Sequence, residues 1–318
     1  MEFCGIFDIE IVIPAYKAER TIARTVDSLL AQEGVGCRII VVVDGLFDGT
    51  LDVLSRYPRE RVTVVVEEVN RGASSARNRG LDLVQGEFAM FIDADDFVEG
   101  DFLRPLLARM RSVGADMGFA PLQILFEGEG RRLPRFVPEW SSPVEVFRDW
   151  HGRERYVGTI GTMWRTGFVR KIGGWDPQIT RNDDGELAMR GILMGARIAV
   201  SSSGQGVYVH HSGESLNRRT DNMDSMLRAN RKLLAIESSV VDRAEQRRVC
   251  GEHYLNIASH AYLAGRDEIG DSAVAESRSL GVVAMGGWPY QIGYRLFGPK
   301  RFARLVHRLK RLLAKRGA

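Results

Sequence analysis

The chain has 318 residues, 44% hydrophobic and 27% charged, with a formal net charge of +3. That length can bury one large core, or one core plus a smaller appendage, and the composition is that of an ordinary soluble protein without repeats or low-complexity tracts. No apolar run reaches the roughly 18 to 20 residues needed to span a bilayer, and Cys4, Cys37 and Cys250 form no C-x-x-C pair, which points to a reducing compartment and no structural zinc.

Near the N-terminus Glu2 and Asp8 interrupt any apolar signal-peptide core, so a cytosolic location is expected. Ile9-Glu10-Ile11-Val12-Ile13-Pro14 is a β-branched run closed by proline and reads as a buried strand. From Ala18 to Gln32, Ile22, Val26, Leu29 and Leu30 recur at the spacing of an amphipathic helix. A second apolar strand runs from Arg38 to Val43 and ends at Asp44-Gly45; a helix over 50–55 and a strand over 62–67 follow. Strand, helix, strand, helix, strand predicts an α/β fold with a parallel sheet, whose ligands gather at the carboxyl ends of the strands. Gly72-Ala73-Ser74-Ser75-Ala76-Arg77 then opens a helix whose amides and Arg77 could face an anion; a capped helix with a structural salt bridge is the plainer alternative.

Phe88 to Asp96 is the most informative stretch, because apolar residues lead into three carboxylates within four positions. Read as a strand, it puts Asp93 and Asp95 on one face and Asp96 on the other. Two carboxylates that share a face repel unless a cation or a set of donors lies between them, and oxygen-only ligands suit Mg²⁺ or Mn²⁺. A solvated acidic turn is the alternative.

Four segments in order, Pro14-Ala15-Tyr16, Val43-Asp44-Gly45 with Asp48-Gly49-Thr50, Ala76-Arg77-Asn78-Arg79-Gly80-Leu81, and Phe91-Ile92-Asp93-Ala94-Asp95-Asp96, resemble the nucleotide-binding half of family 2 glycosyltransferases. Lys171-Ile172-Gly173-Gly174-Trp175-Asp176 is similar to that family's G-G-F-D turn, and Asn182-Asp183-Asp184-Gly185-Glu186-Leu187-Ala188-Met189-Arg190 to its E-D-x-D-L-x-x-R segment. Tyr208-Val209-His210-His211 with Ser215-Leu216 is a looser match to a later Y-R-x-H…S-L stretch. The resemblance covers roughly residues 8 to 218 and implies a GT-A fold with a mostly parallel central sheet.

It also implies site roles. Pro14, Ala15, Tyr16, Glu19, Asp44, Arg77, Asp93, Ala94 and Asp95 would bind the nucleotide sugar. Asp95, with Asp93 and His211 nearby, would hold Mg²⁺ or Mn²⁺, and Asp184 would be the catalytic base. Asp183 is the second choice for the base, and Glu186 would orient the loop or the acceptor. Trp175 and Trp164 could stack on a sugar, although core packing suits Trp175 better. The family's D-D-G-S reads Val43-Asp44-Gly45-Leu46 here, which leaves the nucleobase open even though a UDP-sugar is favoured. Direct displacement with one base inverts the anomeric centre, and nothing singles out the nucleophilic carboxylate that a retaining route needs. The expected activity is glycosyl transfer to a saccharide or lipid-linked acceptor in polysaccharide, lipopolysaccharide or glycolipid synthesis. A sugar-phosphate nucleotidyltransferase and a non-catalytic nucleotide-sugar-binding protein are the alternatives.

The expected division is a catalytic domain over 1–218, a helical appendage over 219–280 and a basic amphipathic tail over 281–318. From Ser277 onward there are ten Lys/Arg and no acid, against 34 basic and 41 acidic residues before it. Phe302, Leu305, Val306, Leu309, Leu312 and Leu313 form one stripe in a predicted helix beginning near Pro299, and Arg or Lys fills most of the rest. Such a helix suits an anionic membrane surface, here the inner face of the cell membrane, with docking on protein as the alternative. No nucleic-acid module is present to use the same charge.

Overall fold

The computed structural model describes residues 7–152, 155–211, 223–286 and 288–316. Strands β1 (Ile9–Ala15), β2 (Cys37–Asp44), β3 (Val62–Glu67) and β4 (Phe88–Phe91) alternate with helices α1 (Ile22–Leu30), α2 (Thr50–Leu54) and α3 (Ala73–Leu83). There follow β5 (Phe97–Glu99), α4 (Leu103–Val113), β6 (Met117–Phe119), β7 (Leu122–Phe126), β8 (Arg131–Arg132) and α5 (Pro143–Val146). A π-helical turn at Phe147–Gly152 leads to β9 (Thr162–Arg165), α6 (Thr166–Lys171), α7 (Asp183–Leu193), β10 (Ile198–Val200) and β11 (Gln205–His210).

The main sheet has seven strands in the order β10-β6-β9-β4-β1-β2-β3. All neighbours are parallel except β9, which runs antiparallel between β4 and β6. The apolar runs of β1 and β2 fit this central place, since a parallel strand covered by helices is buried on both faces; Ile9, Ile11, Val12, Ile13 and Ile39 to Val42 are fully buried. Pro14 lies past the end of the β4 pairing, which stops at Val12, so its missing N–H falls beyond the doubly paired part of β1. Because β1, β2 and β4 are parallel, Ala15, Asp44 and the segment after Phe91 emerge at the same sheet edge. A second, four-stranded sheet, β5-β11-β7-β8, was not anticipated; its strands are short and no alternation announced them.

The acidic run itself corrects the strand reading. β4 ends at Phe91, and Asp93 to Asp96 form a turn in which the Asp96 amide donates to the Asp93 carbonyl at 3.1 Å. Strand alternation therefore does not decide which way Asp93 and Asp95 face.

The C-terminal third is helical: α8 (Met223–Ala235), α9 (Arg243–Leu263), α10 (Asp267–Ser279) and α11 (Trp288–Arg316). Sequence spacing suggests α8 and α9 but not α10, and it starts the last helix near Pro299. The observed α11 begins eleven residues earlier and breaks at Gly298, whose φ of 69° and ψ of 162° are non-helical. Its first leg belongs to the helical layer, where Tyr294 is buried among Tyr254, Ala258 and Ala261. Leu233, Val249 and Cys250 join the catalytic core, so this layer is packed onto the sheet domain. The expected boundary at 218, together with Ser215 and Leu216, lies outside the described residues, as do the side chains of Leu312 and Leu313.

Candidate active site

The loops after β1 and β2 are tied together. Asp48 accepts from the Glu19 amide at 3.0 Å and from the Thr50 hydroxyl at 2.6 Å, while that hydroxyl accepts from the Ala18 amide and the Glu19 carboxylate accepts from the Gly49 amide at 3.2 Å. Tyr16 and Phe47 meet edge to face at 5.3 Å and both stay about half exposed. Leu46 is exposed beside them. Leu46, where the family pattern has serine, thus joins Tyr16 and Phe47 in an apolar rim at the cleft.

Asp44 is buried at the end of β2, and its two oxygens accept the amides of Arg71 and Gly72, each at 2.8 Å. Its carboxylate fixes the loop that starts α3. Gly72 is the N-cap of α3 at φ 90°, a conformation that favours glycine.

From α3, Arg77 enters the core of the site. It is 4% exposed, donates to Asp93 at 2.5 Å and to Asp183 at 2.8 Å, and stacks 4.3 Å from the Trp175 ring. Of the two readings of Arg77, the structure displays the salt bridge, because a buried cation needs paired charges and finds two carboxylates. Ser74, one turn earlier, adds a 3.1 Å hydrogen bond to Asp183. Neither Ser74 nor Asn78 was singled out from sequence. Asn78 clamps the Trp175 backbone from both sides, donating to its carbonyl at 2.8 Å and accepting from its amide at 2.9 Å. The signal was present, since Asn78 sits one residue after Arg77 in the same motif.

Helix α7 starts with Asp183 and Asp184, and its N-cap is Asn182 in a left-handed conformation. With Asp183 engaged by Arg77, Asp184 borders a void of about 10 Å³ whose wall includes Trp150, Trp164, Trp175 and Leu187 together with Thr159 and Thr162. Burial, then the neighbouring Asp183 charge, pushes its carboxyl up to about 6. Trp164 and Trp175 are both buried, as core residues. Glu186 is buried and paired with Arg190 at 2.7 and 2.8 Å, and Arg190 also donates to the carbonyls of Ile172 and Gly174. Glu186 thereby holds Arg190 on the carbonyls of the glycine turn.

At the acidic turn, Asp95 is 39% exposed and Asp93 35%. Burial and the Asp93 charge raise the Asp95 carboxyl above its ordinary range, partly offset by His211. His211 does lie at this corner, yet both ring nitrogens face carboxylates, Nε2 on Asp95 at 3.0 Å and Nδ1 on Glu127 at 2.9 Å. Glu127 also binds Arg24, which donates to the Asp95 carbonyl. Asp96 points inward: one oxygen accepts the Val209 amide at 2.8 Å, the other has no partner among the described residues, and burial beside Asp95 and Asp93 pushes its carboxyl far up. It ties the turn to β11.

An α/β domain with three carboxylate-bearing loops at one sheet edge, and a fourth acidic loop reaching them through one arginine, has the architecture of a nucleotide-sugar transferase of GT-A type. Residues 10–164 match the model of the glycosyl transferase family 2, so this part of the chain is a family 2 glycosyltransferase domain. It is 29% identical over 242 residues to the succinoglycan biosynthesis protein ExoO of Rhizobium meliloti, covering 71% of this chain and 68% of that one. It is 34% identical to the putative teichuronic acid biosynthesis glycosyltransferase TuaG of Bacillus subtilis over 49% of this chain and 61% of TuaG. The poly(ribitol-phosphate) beta-glucosyltransferase of Bacillus spizizenii is 37% identical over 66% of this chain, which spans only 33% of that enzyme. The crystal structure of S. aureus TarS 1-349 in complex with UDP-GlcNAc superposes with a TM-score of 0.69 at 18% identity, over 86% of this chain and 81% of that one, and so shares the fold.

Proposed function

We propose that the protein is an inverting, metal-dependent enzyme that moves a sugar from a nucleotide diphosphate sugar, UDP-linked in our reading, to a hydroxyl of a saccharide or lipid-linked acceptor in surface-polysaccharide or glycolipid synthesis. The observation that carries this reading is the Arg77 bridge from Asp93 to Asp183, which sets the acidic turn and the Asp184 loop in one frame. The UDP-GlcNAc complex of TarS supports the donor class, and the names of ExoO and TuaG support the pathway class.

Asp95 and Asp93 fit a hard divalent ion, Mg²⁺ or Mn²⁺. Both carboxylates keep partial contact with solvent at the cleft. Such an ion would complete its shell with water and phosphate oxygens and, when bound, would offset the charge gathering on the departing diphosphate. Asp184 takes the proton of the acceptor hydroxyl as the new bond to the anomeric carbon forms and the bond to the diphosphate oxygen breaks. With no carboxylate nucleophile in this scheme, the configuration inverts. Asp184→Asn is expected to keep donor affinity and lower turnover by about 10² to 10⁴; near-normal turnover would move the base elsewhere.

We also assign the C-terminal helix to an anionic membrane surface on the cytoplasmic side. Among the described residues no helix is long and apolar enough to cross a membrane. Leu296, Leu305 and Leu309 are exposed next to Arg301, Arg304 and Arg308. The positive charge is less free than the sequence suggests, because Asp267 of α10 pairs with Lys300 at 2.6 Å and Arg304 at 3.3 Å.

A further inference from the structure

A cavity of about 430 Å³ lies away from the acidic turn, between α10 and the bend of α11. The bend creates it. Gly298 takes a positive φ and Pro299 cannot continue the preceding helix, so the second leg of α11 turns away from the axis of the first. The turn is held from inside, where Phe302 packs on Tyr290 and Tyr294, and a side chain at Gly293 would collide with the Phe302 ring.

The lining has two halves. Tyr262, Val274 and Phe297 give an apolar wall, and Arg278, Lys300 and Arg301 give a cationic one. The one lining acid, Asp271, is engaged by the Tyr262 hydroxyl at 2.7 Å, and Lys300 is engaged by Asp267. Arg278 and Arg301 make no ion pair among the described residues. Three cationic side chains against the single Asp271 carboxylate leave the lining net positive, and two arginines free of an ion pair among the described residues can bind a phosphate through parallel N–H donors.

We propose that this cavity takes the phosphate head of an anionic phospholipid, with Arg278 and Arg301 on the phosphate and Phe297 and Val274 against its apolar remainder. The apolar wall favours a lipid over free phosphate, and so does Phe297, which lines the cavity while 47% exposed. The inference deepens, and rests on, the membrane assignment made above for α11.

The test uses the full chain and dihexanoyl phosphatidic acid below its micelle concentration, titrated calorimetrically beside inorganic phosphate and dihexanoyl phosphatidylcholine. Saturable binding of the phosphatidic acid, weakened about tenfold or more by Arg278→Ala with Arg301→Ala, is expected, with both other probes at least about tenfold weaker. Inorganic phosphate binding as tightly as the lipid, or affinity unchanged in the double variant, would overturn the proposal. Sedimentation with phosphatidylglycerol-containing vesicles separates the two readings. Protein that pellets with vesicles yet shows no saturable short-chain lipid binding overturns the cavity assignment and leaves the membrane face standing. Arginine-dependent lipid binding without pelleting supports the cavity and removes the membrane face.

Discussion

Arg77 and Asp183, 106 residues apart in sequence, meet at 2.8 Å and join the start of α3 to the start of α7. The second arm of the same guanidinium reaches Asp93, so one side chain spans the distance between the proposed diphosphate side and the proposed base side. Trp175, held by Asn78, forms the floor beneath it.

Removal of this cation should therefore be felt in both stability and donor binding. Arg77→Ala leaves two carboxylates facing each other without compensation. Because Asp93 and Asp183 keep partial contact with solvent, the expected loss is about 2 kcal/mol, below the range for a fully buried pair. Urea melts measure the first effect and calorimetric titration of a UDP-sugar the second. An unchanged melt would mean that the pair adds nothing to the frame.

The raised Asp184 carboxyl sets the pH dependence of turnover. A base must be ionised to accept a proton, so kcat should climb as pH rises through about 6 and level off above it. Asp183→Asn removes the neighbouring charge that contributes to this shift, and it should move the acid limb to lower pH. A limb that stays in place would assign the titration to another group.

Much of this site was legible before any coordinates. Parallel-sheet order and the loops that meet at its edge follow from apolar runs separated by helical spacing, and these place Asp44, Asp93 and Asp95 in one region, whereas Asp184 joins them only through the resemblance of its segment to the family pattern. What sequence could not settle is whom each polar group faces. Arg77 read equally well as a phosphate ligand or a salt bridge, because its partner Asp183 is distant along the chain. Asp44 reads as a base- or ribose-binding group, and nothing in the sequence shows that its oxygens also accept two loop amides. The helix α10 and the first leg of α11 were hidden by glycines at 270, 286, 293 and 298, which weaken helical spacing on paper although the packing of Tyr262 and Phe302 over two of them requires their small size.

Divalent-ion dependence should disappear with Asp95. Asp95→Ala is expected to abolish the difference between calorimetric donor affinity with and without Mn²⁺. Because Asp95 is 39% exposed, the fold should tolerate the change. A Mn²⁺ effect of normal size in the variant would place the ion on other ligands.

A buried histidine pair beneath the π-helical turn should make the protein sensitive to acid. His151 and His253 lie with ring centroids 3.9 Å apart, and both approach the Asn230 side-chain oxygen. Burial pushes His151 down to about 4, a shift only partly offset by its hydrogen bond to Asn230, and drives His253 well below the ordinary histidine range. The unfolded chain binds these protons near pH 6.5 and the folded chain only near 4 or below. Stability is thus full above about pH 6.5 and falls as pH drops towards 4, by about 3 kcal/mol for His151. Denaturant midpoints of the wild type and His151→Gln should converge on acidification, and a constant difference between pH 7.5 and 4.5 would refute the linkage.

Gly80 offers a test of how closely α3 must approach the sheet for Arg77 to reach its partners. A Cβ at this position would collide with Val12 of β1, which is fully buried. Alanine gains about 1 kcal/mol of helix propensity over glycine, whereas overpacking in a filled core costs about 1 to 3 kcal/mol, so Gly80→Ala should destabilise on balance. Lifting α3 from β1 would also displace Arg77, one turn earlier on the same helix, and activity should fall with stability. Val12→Ala alone leaves a cavity, but combined with Gly80→Ala it makes room for the new methyl group. The two changes should therefore couple favourably by about 1 kcal/mol or more in a double-mutant cycle, with activity recovering beside the melt. Strict additivity would mean that the backbone relaxes freely here, and that the position of Arg77 is set by its ion pairs and not by the close seat of α3 on the sheet.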